Sequence, residues 1–127
     1  MSMKTISVEN APKAVGPYAQ GVVAGGFLFT AGQLAFDPAT MKLVEGDIGV
    51  QTRRVLDNLE AVLRGAGATL QDVVRAGVYL VDLADFAKMN EVFAARFGSH
   101  RPARSTIGVA ALPAGARVEI DLVVRVG

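Results

Sequence analysis

The final stretch of the chain, residues 117–126, alternates between two kinds of side chain. The residues at even positions are all apolar: Val118, Ile120, Leu122, Val124 and Val126. The residues at odd positions are mostly charged: Arg117, Glu119, Asp121, Val123 and Arg125. Because successive side chains of a strand point to opposite faces, this segment predicts a strand with one buried face and one charged face. A chain that ends in this way needs a sheet that is covered on one side.

Two helices are predicted to supply that cover. Over residues 48–65 the apolar positions recur at helical spacing, in a stripe made of Thr52, Val55, Leu56, Leu59, Val62, Leu63 and Ala66. A second helix is predicted after Asp82, which Asp85 follows in the manner of a capping box, and it should end near Phe97. Its apolar stripe contains one polar residue, Asn90.

Strand signals fill most of the remaining chain. Gly25-Gly26 between two apolar runs predicts a hairpin, and residues 73–81 and 103–110 predict two further strands. The even positions of the first of these are uniformly apolar: Val74, Ala76, Val78 and Leu80. This order predicts an α/β (α+β) architecture with two helices on one face of a mixed sheet. Since 127 residues suffice for one hydrophobic core, we expect residues 1–127 to form a single domain.

The charge balance limits the classes of partner. Thirteen Lys and Arg residues against twelve Asp and Glu residues give a net charge of +1, and no run of like charges stands out. A nucleic-acid surface is therefore not predicted. The chain has no cysteine, which excludes disulfides and thiolate metal sites, and no apolar run approaches the roughly 20 residues of a membrane span. We expect a cytoplasmic protein.

Two charged residues, Arg104 and Glu119, interrupt segments that otherwise resemble buried sheet. A buried charge is costly unless it is paired or faces a wet cavity. A tight connection over residues 113–115 predicts that the two strands are antiparallel neighbours, and the alternation then places both side chains on one face. From spacing alone, a cross-strand ion pair worth about 0.2–1 kcal/mol is the favoured explanation. A small-molecule site is the alternative.

Other candidate residues have simple structural explanations from spacing alone. Asn90 is more often a helix side chain bonded to a nearby loop than a ligand, and Tyr18, in a Gly-Pro loop, is ordinarily a packing residue. One histidine and no cysteine provide no ligand set for a metal ion. Ser105 and Thr106 have no histidine partner nearby, so a Ser-His nucleophile has little support.

Five short segments, spread over essentially the whole chain, carry a resemblance to a known family. In chain order they are Gly16-Pro17-Tyr18, Thr30-Ala31-Gly32-Gln33, Asp85-Phe86 with Asn90, Pro102-Ala103-Arg104-Ser105 and Val118-Glu119-Ile120. Together they resemble the signature segments of the Rid family, the reactive intermediate deaminases, which are also called the YjgF or endoribonuclease L-PSP family. Five matches in the family's order and spacing are far more specific than any one of them.

The resemblance implies a chorismate-mutase-like fold that assembles as a homotrimer, with a central barrel and one site in each intersubunit cleft. It also implies hydrolysis of enamines and imines, such as 2-aminoacrylate and the 2-imino acids, to 2-oxo acids and ammonia. No metal or organic cofactor is implied. The expected partners are therefore a small 2-imino acid and further copies of the chain, and neither nucleic acid nor a membrane.

The functional residues of the family carry over position by position. Arg104 matches the arginine that binds the substrate carboxylate. Glu119 matches the carboxylate that positions water and relays a proton to the leaving nitrogen. Thr106 stands where the backbone meets the imine nitrogen, a position at which the family often has Cys. Further pocket residues are matched by Tyr18, Gly32 and Asn90. The resemblance implies that the first two of these come from the neighbouring subunit.

Two positions depart from the family's pattern. Ala31 stands in the pocket where the imine deaminases usually have Ser, which removes one hydroxyl and puts the rate and the substrate range in question. Arg101 stands where an aromatic residue is common, at the mouth of the cleft.

The alternative functions are a non-catalytic trimeric module that binds small carboxylates and, from the family's older name, a ribonuclease. The balanced charge and the lack of an aromatic-basic stripe argue against the ribonuclease.

Overall fold

The computed structural model describes residues 2–127 and contains six strands and two long helices. The strands are β1 (Lys4–Ile6), β2 (Gly21–Ala24), β3 (Phe27–Thr30), β4 (Val73–Leu80), β5 (Ala103–Gly108) and β6 (Val118–Arg125). The helices are α1 (Ile48–Gly65) and α2 (Phe86–Phe97). The predicted helices and strands are present, with bounds that differ by a few residues at most.

All six strands join one sheet, in the order β1-β2-β3-β6-β4-β5. β4 and β5 run parallel, whereas the other neighbouring pairs are antiparallel, so the sheet is mixed as predicted. The prediction that β5 and β6 are neighbours is wrong, because β4 lies between them and pairs with both. The connection over residues 109–117 is long enough to pass the end of β4, and the tight turn at Pro113–Gly115 forms only its middle.

The two helices pack on each other and on the sheet. Asp47 caps the start of α1, because its side chain accepts a hydrogen bond from the Val50 N–H (3.0 Å) and so satisfies one free donor of the first turn. The stripe predicted for α1 is buried, except that Ala66, just beyond the helix, is half-buried. No helix within residues 2–127 combines the length and the apolar composition needed to cross a membrane.

The two faces of β6 have the surroundings that its alternation predicts. Its apolar side chains form the centre of the core, and these four are at most 2% exposed: Val118, Ile120, Leu122 and Val124. The opposite face is not covered by a helix. On this open face, which also receives the outward side chains of β3, β4 and β5, Phe27 and Phe29 are 38% and 47% exposed. Glu119 belongs to the open face.

An irregularity in β4 changes the face of one residue. The register of β4 against β6 shifts between Val73 and Arg75. Val73 is therefore buried, whereas Val74 is 46% exposed. Val74 and Ala76 are both even, apolar positions, yet they do not share the buried face, because an extra residue in one strand reverses the alternation beyond it.

Candidate functional site

The sheet places Arg104 and Glu119 on opposite faces. Arg104 is in register with Ala76 of β4, and Glu119 is in register with Tyr79. Ala76 is fully buried beneath the helices, whereas Tyr79, three residues further along the strand, points to the open face. Directly paired residues share a face, so the sheet separates the two charged side chains. The predicted shared face, and with it the cross-strand ion pair, is wrong for a single copy of the chain.

Arg104 lies at the edge of the sheet beneath α2. Its Nη2 donates a hydrogen bond to Oδ1 of Asn90 (2.7 Å), so Asn90 holds this arginine rather than a loop. The guanidinium carbon lies 4.8 Å from the centre of the Phe93 ring and 5.7 Å from that of Phe86. Aromatic faces attract a cation at such distances. Burial lowers the pKa of Arg104, but a guanidinium keeps its charge at physiological pH.

The charge of Arg104 has no carboxylate partner within residues 2–127. A cavity of about 310 Å³ opens beside it, and its lining includes Asn90, Phe93, His100 and Pro102. A guanidinium has five N–H donors, of which Asn90 engages one. The remaining donors and the unpaired charge suit a planar anion such as a carboxylate. We call Asn90, Phe93 and Arg104 the arginine half-site.

Glu119 lies on the open face together with Tyr18 and Gly32. These three residues line one cavity of about 570 Å³, and we call them the glutamate half-site. The Glu119 side chain lies against Gly32, so a β-carbon at position 32 would collide with the carboxylate. Two backbone hydrogen bonds between Gln33 and Ile120, of 2.8 and 3.2 Å, hold the two segments together. Because glycine has no side chain, Gly32 allows the Glu119 carboxylate to lie directly against the backbone at this position.

The surroundings of Glu119 raise its pKa. Burial is the larger cause, and the second is the negative charge of Asp121, two residues further on the same face. The Tyr79 hydroxyl donates a hydrogen bond to Oδ2 of Asp121 (3.1 Å), which fixes this second carboxylate. Burial and Asp121 also raise the pKa of Tyr79. A carboxyl group with a raised pKa is a stronger base and holds its proton nearer neutral pH, and both properties suit proton transfer.

Two buried amide side chains hold the segments around the glutamate half-site. Gln20 directly precedes β2. Its side chain accepts a hydrogen bond from the Val8 N–H (2.7 Å), which holds the chain that follows β1 against the start of β2. Asn58 of α1 donates to the carbonyl oxygens of Leu34 (3.1 Å) and Phe36 (2.9 Å), which fixes the chain after β3. Sequence reasoning missed both amides, because an isolated amide in an apolar segment gives no indication of its partner.

The other predicted site residues adjoin the two half-sites. Ala31 directly precedes Gly32 and is half-buried. Thr106 lies two residues beyond Arg104, on the same face of β5. Arg101 is part of the lining of the Arg104 cavity, and its side chain donates to backbone carbonyls of the turn that ends α2.

Arg117 is engaged in an ion pair outside both half-sites. Its Nη2 lies 3.0 Å from Oδ1 and 3.1 Å from Oδ2 of Asp85, which links the start of β6 to the turn before α2. Asp85 makes no capping hydrogen bond, contrary to the predicted capping box. Asp82 caps the preceding turn, where its side chain accepts a hydrogen bond from the Ala84 N–H (2.9 Å).

Comparisons with known proteins span nearly the whole chain. Residues 8–126 match the family model described as Endoribonuclease L-PSP. The chain is 51% identical over 120 residues to a RutC family protein of Pyrococcus horikoshii, with 94% of this chain and 95% of the relative covered. It is 42% identical over 123 residues to the 2-iminobutanoate/2-iminopropanoate deaminase of Escherichia coli, with 94% and 95% covered. A crystal structure of E. coli TdcF with bound serine matches with a TM-score of 0.91 at 36% identity, covering 98% of this chain and 99% of that one.

Proposed function

Because this chain belongs to the endoribonuclease L-PSP family, the Rid family, we propose that it hydrolyses 2-imino acids and related enamines, such as 2-aminoacrylate, to 2-oxo acids and ammonia. The observation that supports the proposal most strongly is the state of Arg104. This cation lies beside a cavity and has no carboxylate partner within residues 2–127. A substrate carboxylate supplies that partner. The compounds in the name of the E. coli deaminase carry this group, as does the serine bound to TdcF.

In this proposal the complete site forms between two copies of the chain. Within one copy the sheet separates Arg104 from Glu119, so a small substrate cannot reach both. In a homotrimer, the arginine half-site of one subunit faces the glutamate half-site of its neighbour. The exposed apolar side chains of the open face, Phe29, Val74 and Ile107, support coverage of this face by another copy.

The proposed reaction uses orientation and one proton relay. Arg104 holds the substrate carboxylate, and the backbone of Thr106 meets the imine nitrogen. Glu119 takes a proton from a water molecule as the water oxygen bonds to C2 of the iminium, and then gives this proton to the nitrogen. The hydroxyl group on C2 passes its remaining proton to Glu119 as the C–N bond breaks, so that ammonia leaves and the water oxygen becomes the carbonyl oxygen of the 2-oxo acid. Since an iminium carbon is already electrophilic, holding substrate and water in place is sufficient, without a metal or organic cofactor.

A coupled assay tests the proposal. A threonine dehydratase releases 2-iminobutanoate, and trapping with semicarbazide follows the decay of the imine. We expect the wild-type protein to accelerate this decay above its spontaneous rate, and the acceleration to disappear in Arg104→Ala. Decay that is no faster with the wild-type protein than with Arg104→Ala would refute the proposal.

A carboxylate-binding module without catalysis is the second candidate. It is favoured by Ala31, which offers no hydroxyl beside Gly32. Saturable binding of 2-oxobutanoate that Arg104→Ala abolishes, together with no turnover of any imine, would establish this function in place of hydrolysis.

The Gly32→Ala variant is expected to lose activity while keeping its fold. The added β-carbon would meet the carboxylate end of Glu119, and this flexible side chain can swing aside. We therefore expect the free energy of unfolding to change by less than about 1 kcal/mol. Displacement of the carboxylate should lower kcat by about 10²-fold. Thermal denaturation and the coupled assay measure the two effects.

Gly49→Ala is the matched control for this variant. Its added β-carbon would also approach a flexible side chain, that of Lys88 at 3.1 Å, but outside both half-sites. We expect its activity to equal that of the wild type. Equal activity of Gly32→Ala and Gly49→Ala would contradict the close packing of Glu119 on Gly32.

A further inference from the structure

The glutamate half-site continues into an apolar pocket that the proposed reaction does not use. Beyond the half-site residues, most of the cavity lining is apolar and includes Val15, Leu34, Phe36, Met41 and Pro113, whereas Lys13, Gln20 and Gln33 are its polar members. The substrate carboxylate and the reacting carbon belong with the charged groups. An apolar wall beside Glu119 therefore suits the remaining part of a 2-imino acid, its side chain.

Met41 has an unusual backbone conformation in this wall. Its φ is +58°, in the left-handed region that crowds a β-carbon, and among non-glycine residues in 2–127 only Ala114 also has a positive φ. A turn imposes this conformation, since the Met41 N–H donates to the Asp37 carbonyl (2.7 Å) and the Asp37 N–H donates to the Lys42 carbonyl (2.9 Å). Glycine is the residue that such a position favours.

The methionine side chain thus strains a turn that glycine would relax, and it is half-buried in the cavity wall. An observed backbone outlier of this kind supports a hypothesis of function. We propose that Met41 is a specificity-determining residue, which makes the site favour 2-imino acids whose side chain is apolar and longer than an ethyl group. The flexible thioether adapts its shape to such side chains. This inference rests on the proposed function.

The affinity for 2-oxo acids, the products of the proposed reaction, tests the role of Met41. The probes are 2-oxopropanoate, 2-oxobutanoate and 2-oxohexanoate, titrated by calorimetry. We expect the wild-type protein to bind the longest acid about tenfold more tightly than the shortest, because each buried methylene adds affinity. In Met41→Gly this ratio should fall below about threefold, while the melting temperature stays the same or rises as the turn relaxes. The corresponding imines, released by an amino acid oxidase, should give the same order in kcat/KM.

Ala114→Gly is the matched control, because it relaxes a second left-handed residue, in the turn before β6, without removing a side chain from the cavity wall. It should keep the tenfold ratio. Equal affinity of the wild type for all three acids, or a ratio that survives Met41→Gly, would overturn the role of Met41 and leave the proposed function intact. Absence of both 2-oxo acid binding and imine turnover would overturn both.

Discussion

Replacement of Arg104 by alanine is expected to lower kcat/KM for 2-imino acids by about 10²–10³-fold. The substrate carboxylate would lose a bidentate pair of charge-assisted hydrogen bonds, and single bonds to charged groups are worth about 1.5–3 kcal/mol. Asn90 and the Phe93 ring hold the guanidinium in place for this contact. The melting temperature should change little, since no carboxylate within residues 2–127 loses an ion-pair partner. The coupled assay and thermal denaturation measure the two effects.

Two further variants separate charge from geometry at this position. Arg104→Lys keeps the positive charge but loses the planar fork of donors, so we expect about a tenfold loss in kcat/KM. Arg64→Ala removes an exposed arginine from the end of α1, away from both cavities, and should leave kcat/KM unchanged. An Arg104→Ala protein with wild-type kcat/KM would exclude the carboxylate contact.

Replacement of Glu119 by glutamine is expected to lower kcat by about 10²–10⁴-fold, the usual contribution of a positioned acid or base. Glutamine has nearly the same size as glutamate but cannot accept and return a proton. KM should change little, because in the proposed site the substrate carboxylate is held by Arg104 of the other subunit and not by Glu119. Steady-state kinetics at neutral pH test this, and an equal loss in Gly32→Ala and Glu119→Gln would agree with displacement of the same group.

The same substitution is expected to stabilise the fold near neutral pH. Burial and Asp121 raise the pKa of Glu119, so the folded state holds this proton more tightly than the unfolded chain does. The contribution of Glu119 to stability is fully present below the unfolded pKa and is lost as the pH rises through the raised folded pKa. Glu119→Gln should therefore melt at a higher temperature than the wild type near pH 7, and the difference should shrink towards about pH 4.

Glu91→Gln is the control for this pH dependence. Glu91 is an exposed carboxylate on α2, 3.5 Å from Lys88 and distant from the open face. We expect Glu119→Gln, and not Glu91→Gln, to raise the melting temperature near neutral pH. A difference between Glu119→Gln and the wild type that is constant from about pH 4 to pH 7 would contradict the raised pKa of Glu119.

Local patterns predicted the elements, but not which strands are neighbours. The bounds of α1 agree with the prediction because its apolar stripe persists over the whole helix and Asp47 caps its start. The Gly25-Gly26 hairpin is confirmed because both residues adopt the positive φ that the turn needs, +59° and +84°. The pairing of β5 with β4 depends on contacts between residues far apart in the chain. Nothing within residues 103–108 distinguishes β4 from β6 as a neighbour.

The same distinction applies to the candidate site. The charge pattern and the motif resemblance predicted Arg104 and Glu119 as site residues, but their separation by the sheet follows from strand order, which local alternation does not determine. The sequence could have predicted that Asp121 lies beside Glu119 on one face, since both occupy odd positions of the alternating strand. The left-handed conformation of Met41 has no signal in the sequence, because such positions are ordinarily marked by Gly, Asn or Asp.

Mixing two inactive variants is the most direct test of a site that combines Arg104 of one subunit with Glu119 of its neighbour. Arg104→Ala and Glu119→Gln chains are co-expressed with different affinity tags, and the mixed assemblies are isolated through both tags. In a mixed trimer, whichever variant supplies two of the three chains, about one site in three contains both wild-type residues. We predict that the isolated mixed assemblies recover about a third of wild-type imine hydrolysis. Mixed assemblies as inactive as either variant alone would contradict a site shared between subunits.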